Sequence, residues 1–308
     1  MEEAEIFKDF ENHDRNQYPD PVYRVTGGMG GEALLILGSE KTALYDVGMA
    51  CFADRLITNI DCILEGTERT LDLILLSHTH YDHIGGLPYV LRRWPKAEVC
   101  ASRKAAKVFE SEGAKATIAR LGKNAADFYG IDHMEMIVDG MRVDRILRDK
   151  DKIDLGKQWI QVYETKGHTD CAMTYMLLPE KILFTCESTG VLVNPQWIDT
   201  SVLKDFDETI RVAERLKTLH CSYLISPHYG VVPPWFNQIY FDMYIQAAKK
   251  EKTFIESLIE EGKSFEQIME AHKAFYWRPE RAKAQPYAAY RLNTENVVKQ
   301  VMQKLKSI

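Results

Sequence analysis

Apolar residues recur along the chain with two different periods. Residues 22–25, 33–37 and 42–45 are short strand-like apolar runs; a glycine-rich loop at 27–31 follows the first, and the Gly-Ser-Glu turn between the other two predicts an antiparallel pair. Phe52, Leu56, Ile60, Ile63 and Leu64 have the spacing of an amphipathic helix over 52–64. A buried strand over 71–76 stops at Ser77, and Gly85-Gly86 leads into a short helix ending near Arg93. Residues 97–101 read as strand, with Ser102 as the N-cap of the next helix. The polar, alanine-rich stretch 112–140 reads as a helical insertion followed by loop. A meander is expected over 145–147, 159–165, 172–178 and 182–186, turning at 179–181. Asp205 caps a helix to about Leu219, and 223–226 is one more strand.

Past Pro233-Pro234 the period is helical only, over 235–261, 264–275 and 294–307. This tail carries 12 lysines and arginines against 9 acids, whereas the whole chain has a net charge of −6. The expected organisation is an α/β domain over 1–233 with a helical cap or lid over 234–308. No repeat of fixed period is present, although the first strands and the later meander could be two similar β-rich halves.

Composition narrows the function classes. With 45% hydrophobic and 27% charged residues, the 308-residue chain can bury a core and is not disordered. No apolar run approaches the ~20 residues of a membrane span, and the acidic first residues do not resemble a signal peptide. Six cysteines without a C-x-x-C pair point to a reduced, cytoplasmic setting. The negative charge, with no basic stripe, argues against a nucleic-acid partner and leaves a small-molecule substrate. A homodimer is compatible with the sequence.

The chemistry gathers at strand ends. His78, His80, Asp82 and His83 follow the strand at 71–76; His168, Glu187 and His228 follow later strands. Alternate imidazoles in an extended segment point the same way, so His78 and His80 can clasp one cation. The turn at Tyr81 then offers Asp82 and His83 to a second. His168 completes the first set, His228 the second, and Glu187 stands between them. Two divalent ions about 3.5–4 Å apart hold a bridging hydroxide and polarise a carbonyl or phosphoryl oxygen. Four polar groups within six residues after a buried strand are not explained by core packing. The remaining histidines (His13, His133, His220, His272) read as ordinary surface or core residues, and Cys186 is notable only for preceding Glu187. The donors suit zinc first, with iron or manganese also possible.

The arrangement resembles the metallo-β-lactamase superfamily over about residues 22–230. The likeness rests on Asp46-Val-Gly48, the H-x-H-x-D-H run at 78–83, Gly167-His168-Thr169, Phe184-Thr-Cys-Glu187 and Ser226-Pro-His228. It implies a four-layer αββα sandwich with the metal site at one edge. A narrower likeness, to the thioesterase-like quinolone signal response protein with its helical C-terminal cap, rests on His80-Tyr-Asp-His83, Gly86-Leu-Pro-Tyr89, Gly167-His-Thr-Asp170 and the helical tail. His80 sides with the hydrolases, since the flavo-diiron oxidoreductases usually carry glutamate there. Cys186-Glu187 departs from the family's Gly-Asp: Glu187 either bridges the metals from a retracted backbone or points away.

The resemblance implies a metal-dependent hydrolase of a small ester, thioester or lactone, with hydroxide as nucleophile and Asp82 as catalytic residue steering or accepting the proton. Asp46 and Asp170 are then expected to orient the histidines from behind. Trp235, Phe236, Tyr240, Tyr244, Tyr276 and Trp277 either wall an acyl pocket or pack as plain core. Two other readings are a phosphodiesterase or nuclease on the same fold, and a regulatory protein acting through its helical cap.

Overall fold

The computed structural model describes residues 8–131 and 135–306. Its first sheet runs in chain order: β1 (Val22–Arg24), β2 (Leu34–Leu37), β3 (Thr42–Tyr45), β4 (Leu73–Leu75), β5 (Glu98–Ser102) and β6 (Arg145–Leu147). The first three strands pair antiparallel, β2 with β3 as expected from the Gly-Ser-Glu turn, and β3 to β6 pair parallel through helical crossovers. A second sheet contains β7 (Lys152–Asp154), β8 (Trp159–Glu164), β9 (Met173–Leu178) and β10 (Ile182–Phe184). The chain next forms a separate hairpin of β11 (Val191–Asn194) and β12 (Trp197–Asp199). It then returns to the second sheet as β13 (Tyr223–Ile225) and β14 (Val231–Val232).

The inner faces of the sheets pack on one another, with Leu34, Ile36, Tyr45 and Leu75 in one cluster with Val162, Tyr175, Phe184 and Ile225. Helices Ala53–Leu64, Leu87–Arg93 and Arg103–Glu110 cover the outside of the first sheet. Helix Phe206–Lys217 and the C-terminal helices cover the outside of the second. This is the αββα sandwich. The tail shares its core with the sandwich: Tyr240, Phe241, Tyr244 and Ile255 are fully buried in the cluster that holds Leu183, Leu216 and Val298.

Local signals account for several boundaries. Ser102 caps its helix by accepting from the Ala105 amide, and Asp205 accepts from the amides of Asp207 and Glu208. Other expectations are corrected. Residues 145–147 do not open the meander; they form the edge of the first sheet, where the Asp144 amide and carboxylate both bond to Val99 and fasten β6 to β5. The last helix spans Tyr287–Lys306 and so begins seven residues before 294, directly after Pro286, with Tyr287 and Tyr290 packed on Trp277. Strands β7, β11, β12 and β14, two to four residues long, were not expected.

Candidate metal centre

The two parallel strands β3 and β4 end side by side and deliver the first functional groups. Asp46, fully buried just past β3, accepts from the Ser77 amide (2.7 Å) and the Ser77 hydroxyl (2.6 Å), and its Oδ2 lies 2.8 Å from His83 Nδ1. A carboxylate only accepts, so His83 carries its proton on Nδ1 and turns Nε2 towards the cluster. Ser77 Oγ, its own proton given to Asp46, accepts from His78 Nδ1 at 2.9 Å, which orients the second ring. Asp46 thus sits behind His83, bonded to its ring, and reaches His78 through Ser77. Gly31 lies against His83, where a Cβ would come within 2.4 Å of the ring, so the glycine-rich loop is what lets the backbone close over it.

His168 follows β8, Glu187 opens a single 3-10 turn (Glu187–Thr189) after β10, and His228 lies between β13 and β14. His168 donates from Nδ1 to the Ser201 carbonyl (2.5 Å), and its Nε2 is 3.0 Å from His80 Nδ1. Glu187 points inward: Oε1 is 2.7 Å from His83 Nε2 and 2.9 Å from His228 Nε2, while Oε2 is 3.6 Å from His78 Nδ1. Asp82 Oδ2 stands 3.7 Å from His83 Nε2 and 3.8 Å from His228 Nε2. Among the described residues, three groups bring their donor atoms within 4.8 Å of one another: His78, His80 and His168; His78, His83 and Glu187; Asp82, His83 and His228. All seven expected ligands thus converge.

Electrostatics divide the cluster. Burial pushes His78 well below the usual imidazole range, takes His80 down to about 3 and lowers His168, so these three rings are neutral, the form that ligates metal. Burial opposes charge on His83 and His228 as well, but Glu187 outweighs it and raises both. Burial would also raise Glu187; His83 and His78, with the hydrogen bond from His228, hold it well below the usual carboxylate range. The buried His78 Nε2 and Glu187 Oε2 have no hydrogen-bond partner among the described residues, a cost of about 1–3 kcal/mol each in a closed protein interior. Imidazole and carboxylate donors with two such atoms facing inward fit divalent cations.

One expectation turns out differently. Asp170 is exposed, 4.0 Å from Lys104, and does not orient His168; a backbone carbonyl does that instead. None of the six aromatic candidates lines the cavity above the cluster. Tyr240 and Tyr244 work beneath it: the Tyr240 hydroxyl donates to the Gly190 carbonyl (2.9 Å), and the Tyr244 hydroxyl pairs with Thr209 (2.7 Å), which donates to the Ser188 carbonyl. They brace the turn that carries Glu187. His272 is a buried core residue and His13 and His220 lie away from the site, whereas His133 falls outside the described residues.

The cavity itself holds about 270 Å³. His80, Asp82, His168, Glu187 and His228 border it. Arg281 of helix Pro279–Ala284, Gln285 just after it, and Ala289, Leu292 and Asn293 of the last helix also border it. These tail residues carry no sequence motif; only the spacing 289, 292, 293, 296 marks one helix face.

The protein named glyoxylase B2 of Dictyostelium discoideum is 23% identical over 172 residues, covering 52% of this chain and 53% of that protein. A hydroxyacylglutathione hydrolase of Synechococcus sp. is 54% identical over 39 residues, 13% of this chain and 16% of that protein. The chain thus spans about half or less of the length of these relatives. A solved metallo-beta-lactamase from Cronobacter sakazakii superposes with a TM-score of 0.57 at 20% identity, over 77% of this chain and 95% of that one. Residues 26–228 match the metallo-beta-lactamase superfamily, and the chain belongs to it.

Proposed function

We propose that this chain is a metal-dependent hydrolase that cleaves a small ester, thioester or lactone at the floor of the cavity. The observation that carries the reading is the meeting of seven imidazole and carboxylate donors beneath a cavity of about 270 Å³. Two divalent cations, zinc foremost, supply Lewis acidity and an activated water when bound there. The chain's own groups do the rest. His78, His80 and His168 would hold one ion and Asp82, His83 and His228 the other, with Glu187 between the two groups. Asp82, at the cavity floor, is placed to accept the proton released in the attack.

The cavity selects for size and polarity. Its volume lies just under the ~300–1,000 Å³ typical of drug-sized ligands, so it encloses a small acyl group. Val191, Val193, Leu203 and Leu292 supply apolar wall. Arg281 is already engaged by Asp199 at 2.7 Å, which leaves that wall polar without net charge. Hydroxyacylglutathione, the substrate in one relative's name, is itself a thioester. The test is metal analysis of untreated protein with a panel of thioester, lactone and phosphodiester substrates. Thioester or lactone turnover that disappears in His80→Ala and Asp82→Ala, with the fold retained, is expected. Unchanged turnover in either variant, or cleavage of the phosphodiester alone, would sink the proposal.

A further inference from the structure

The C-terminal helices contain a buried polar chain that the proposed hydrolysis leaves unused. Glu251 of helix Asn237–Glu260 and His272 of helix Phe265–Tyr276 are 3% and 2% exposed inside an otherwise apolar layer. His272 Nε2 donates to Glu251 Oε1 (2.8 Å), and its Nδ1 pairs with the Tyr290 hydroxyl (2.9 Å). The second oxygen, Glu251 Oε2, accepts from the Thr200 hydroxyl. Burying such groups without mutual bonds is costly, and an apolar trio would fill the space at less risk. What the arrangement fixes is residue 200.

Thr200 is one of four consecutive residues, three of them tied to the tail. Asp199 is gripped by Arg281 at 2.7 and 3.1 Å, Thr200 by Glu251, and the Val202 carbonyl by Gln300 Nε2 at 2.6 Å. The residue without a tie of this kind, Ser201, has φ +48°, a left-handed conformation that a side-chain-bearing residue adopts only when its neighbours impose it. Its carbonyl is the acceptor for His168 Nδ1. We infer that the C-terminal helices act as a clamp on residues 199–202, with Glu251 and His272 as positioning residues that hold the Ser201 carbonyl against His168 and so set how that ring meets its cation. The inference rests on reading the histidine cluster as a metal centre. Outer partners of ligating histidines typically change metal affinity about 10–100-fold when lost.

The test is cobalt(II) titration of chelator-stripped full-length protein, read by affinity and by the visible absorption of the bound ion. Thr200→Val and Glu251→Ala are expected to weaken cobalt binding about 10-fold and to alter that absorption, which reports ligand geometry. Glu251→Gln, able to keep a bond to Thr200, is expected to recover most of both. If Glu251→Ala fails to fold, the small change at Thr200 still decides. Variants with wild-type affinity and spectrum but a lower melting temperature would show a merely structural role and overturn the inference. Wild-type protein that binds no cobalt overturns the metal reading and this inference together. A normal cobalt series with no ester hydrolysis overturns only the hydrolase proposal.

Discussion

Glu187 occupies a place where shortening by one methylene is a sharp test. Its carboxylate reaches both His83 and His228, at 2.7 and 2.9 Å, from a turn whose backbone is braced by Tyr240 and Tyr244. Gly190, at φ +81°, ends that turn, and a Cβ there would meet the Tyr244 ring at 2.6 Å. The backbone is therefore not free to advance. Glu187→Asp draws the carboxylate back by about 1.5 Å, one C–C bond. Although aspartate is the commoner residue in the family, the expected outcome here is about 10-fold weaker binding of the second equivalent of zinc, measured by competition with a chromophoric chelator. Equal affinity in the variant would show that the turn readjusts. At this scale the clustered donors were readable from sequence because H-x-H-x-D-H is contiguous and each remaining donor follows a strand. Asp170 misled because adjacency to His168 says nothing about direction: the loop turns it outward to Lys104. The true partner, the Ser201 carbonyl, is backbone and carries no residue signature.

Elements were readable where period and caps agreed. The hairpin at β2–β3, the capped helices starting at Arg103 and Phe206, and the long helix from Asn237 all follow local rules. Strands β7, β11, β12 and β14 were missed because they are defined by pairing partners rather than by their own pattern. How helices attach to one another was equally hidden. Asp207, in the first turn of helix Phe206–Lys217, receives Lys252 at 2.8 Å and Lys304 at 2.6 Å from two different tail helices. The hydrogen bonds from Lys252 and then Lys304 bring its carboxyl down to about 2, from an ordinary value of 3.8. A depressed folded-state pKa contributes stability above the unfolded value and loses it as pH falls from 3.8 towards 2. Because these groups are partly exposed, solvent screening limits the worth of the pair to about 0.5–1 kcal/mol. Asp207→Asn is thus expected to be less stable than wild type in urea at pH 6, with the gap narrowing at pH 3. A gap that stays constant would show that the ion pairs contribute nothing.

On the scale of the molecule, the change of period at Pro233-Pro234 was visible, but its consequence was not. A run of helices after a run of strands reads as an appendage, and the expectation of a cap over 234–308 followed from that. The packing gives these helices two further jobs. Their apolar faces complete the outer layer of the second sheet, where Tyr240, Tyr244, Ala248 and Ile255 are fully buried with Leu183 and Leu224. Their polar faces reach over the site with Arg281, Gln285 and Asn293. Contacts such as Arg281 with Asp199, 82 positions apart, leave no local trace in a sequence. Removing residues 234–308 would uncover most of that apolar layer, and each large buried side chain left exposed forfeits about 1.5–3 kcal/mol. Net stabilities of only about 5–15 kcal/mol cannot absorb that loss. The truncated chain is therefore expected to lose cooperative thermal unfolding and to bind a hydrophobic dye, rather than to persist as an open, active sandwich. A soluble 8–233 fragment with a sharp melt and intact cobalt binding would show instead that the tail is a removable cap.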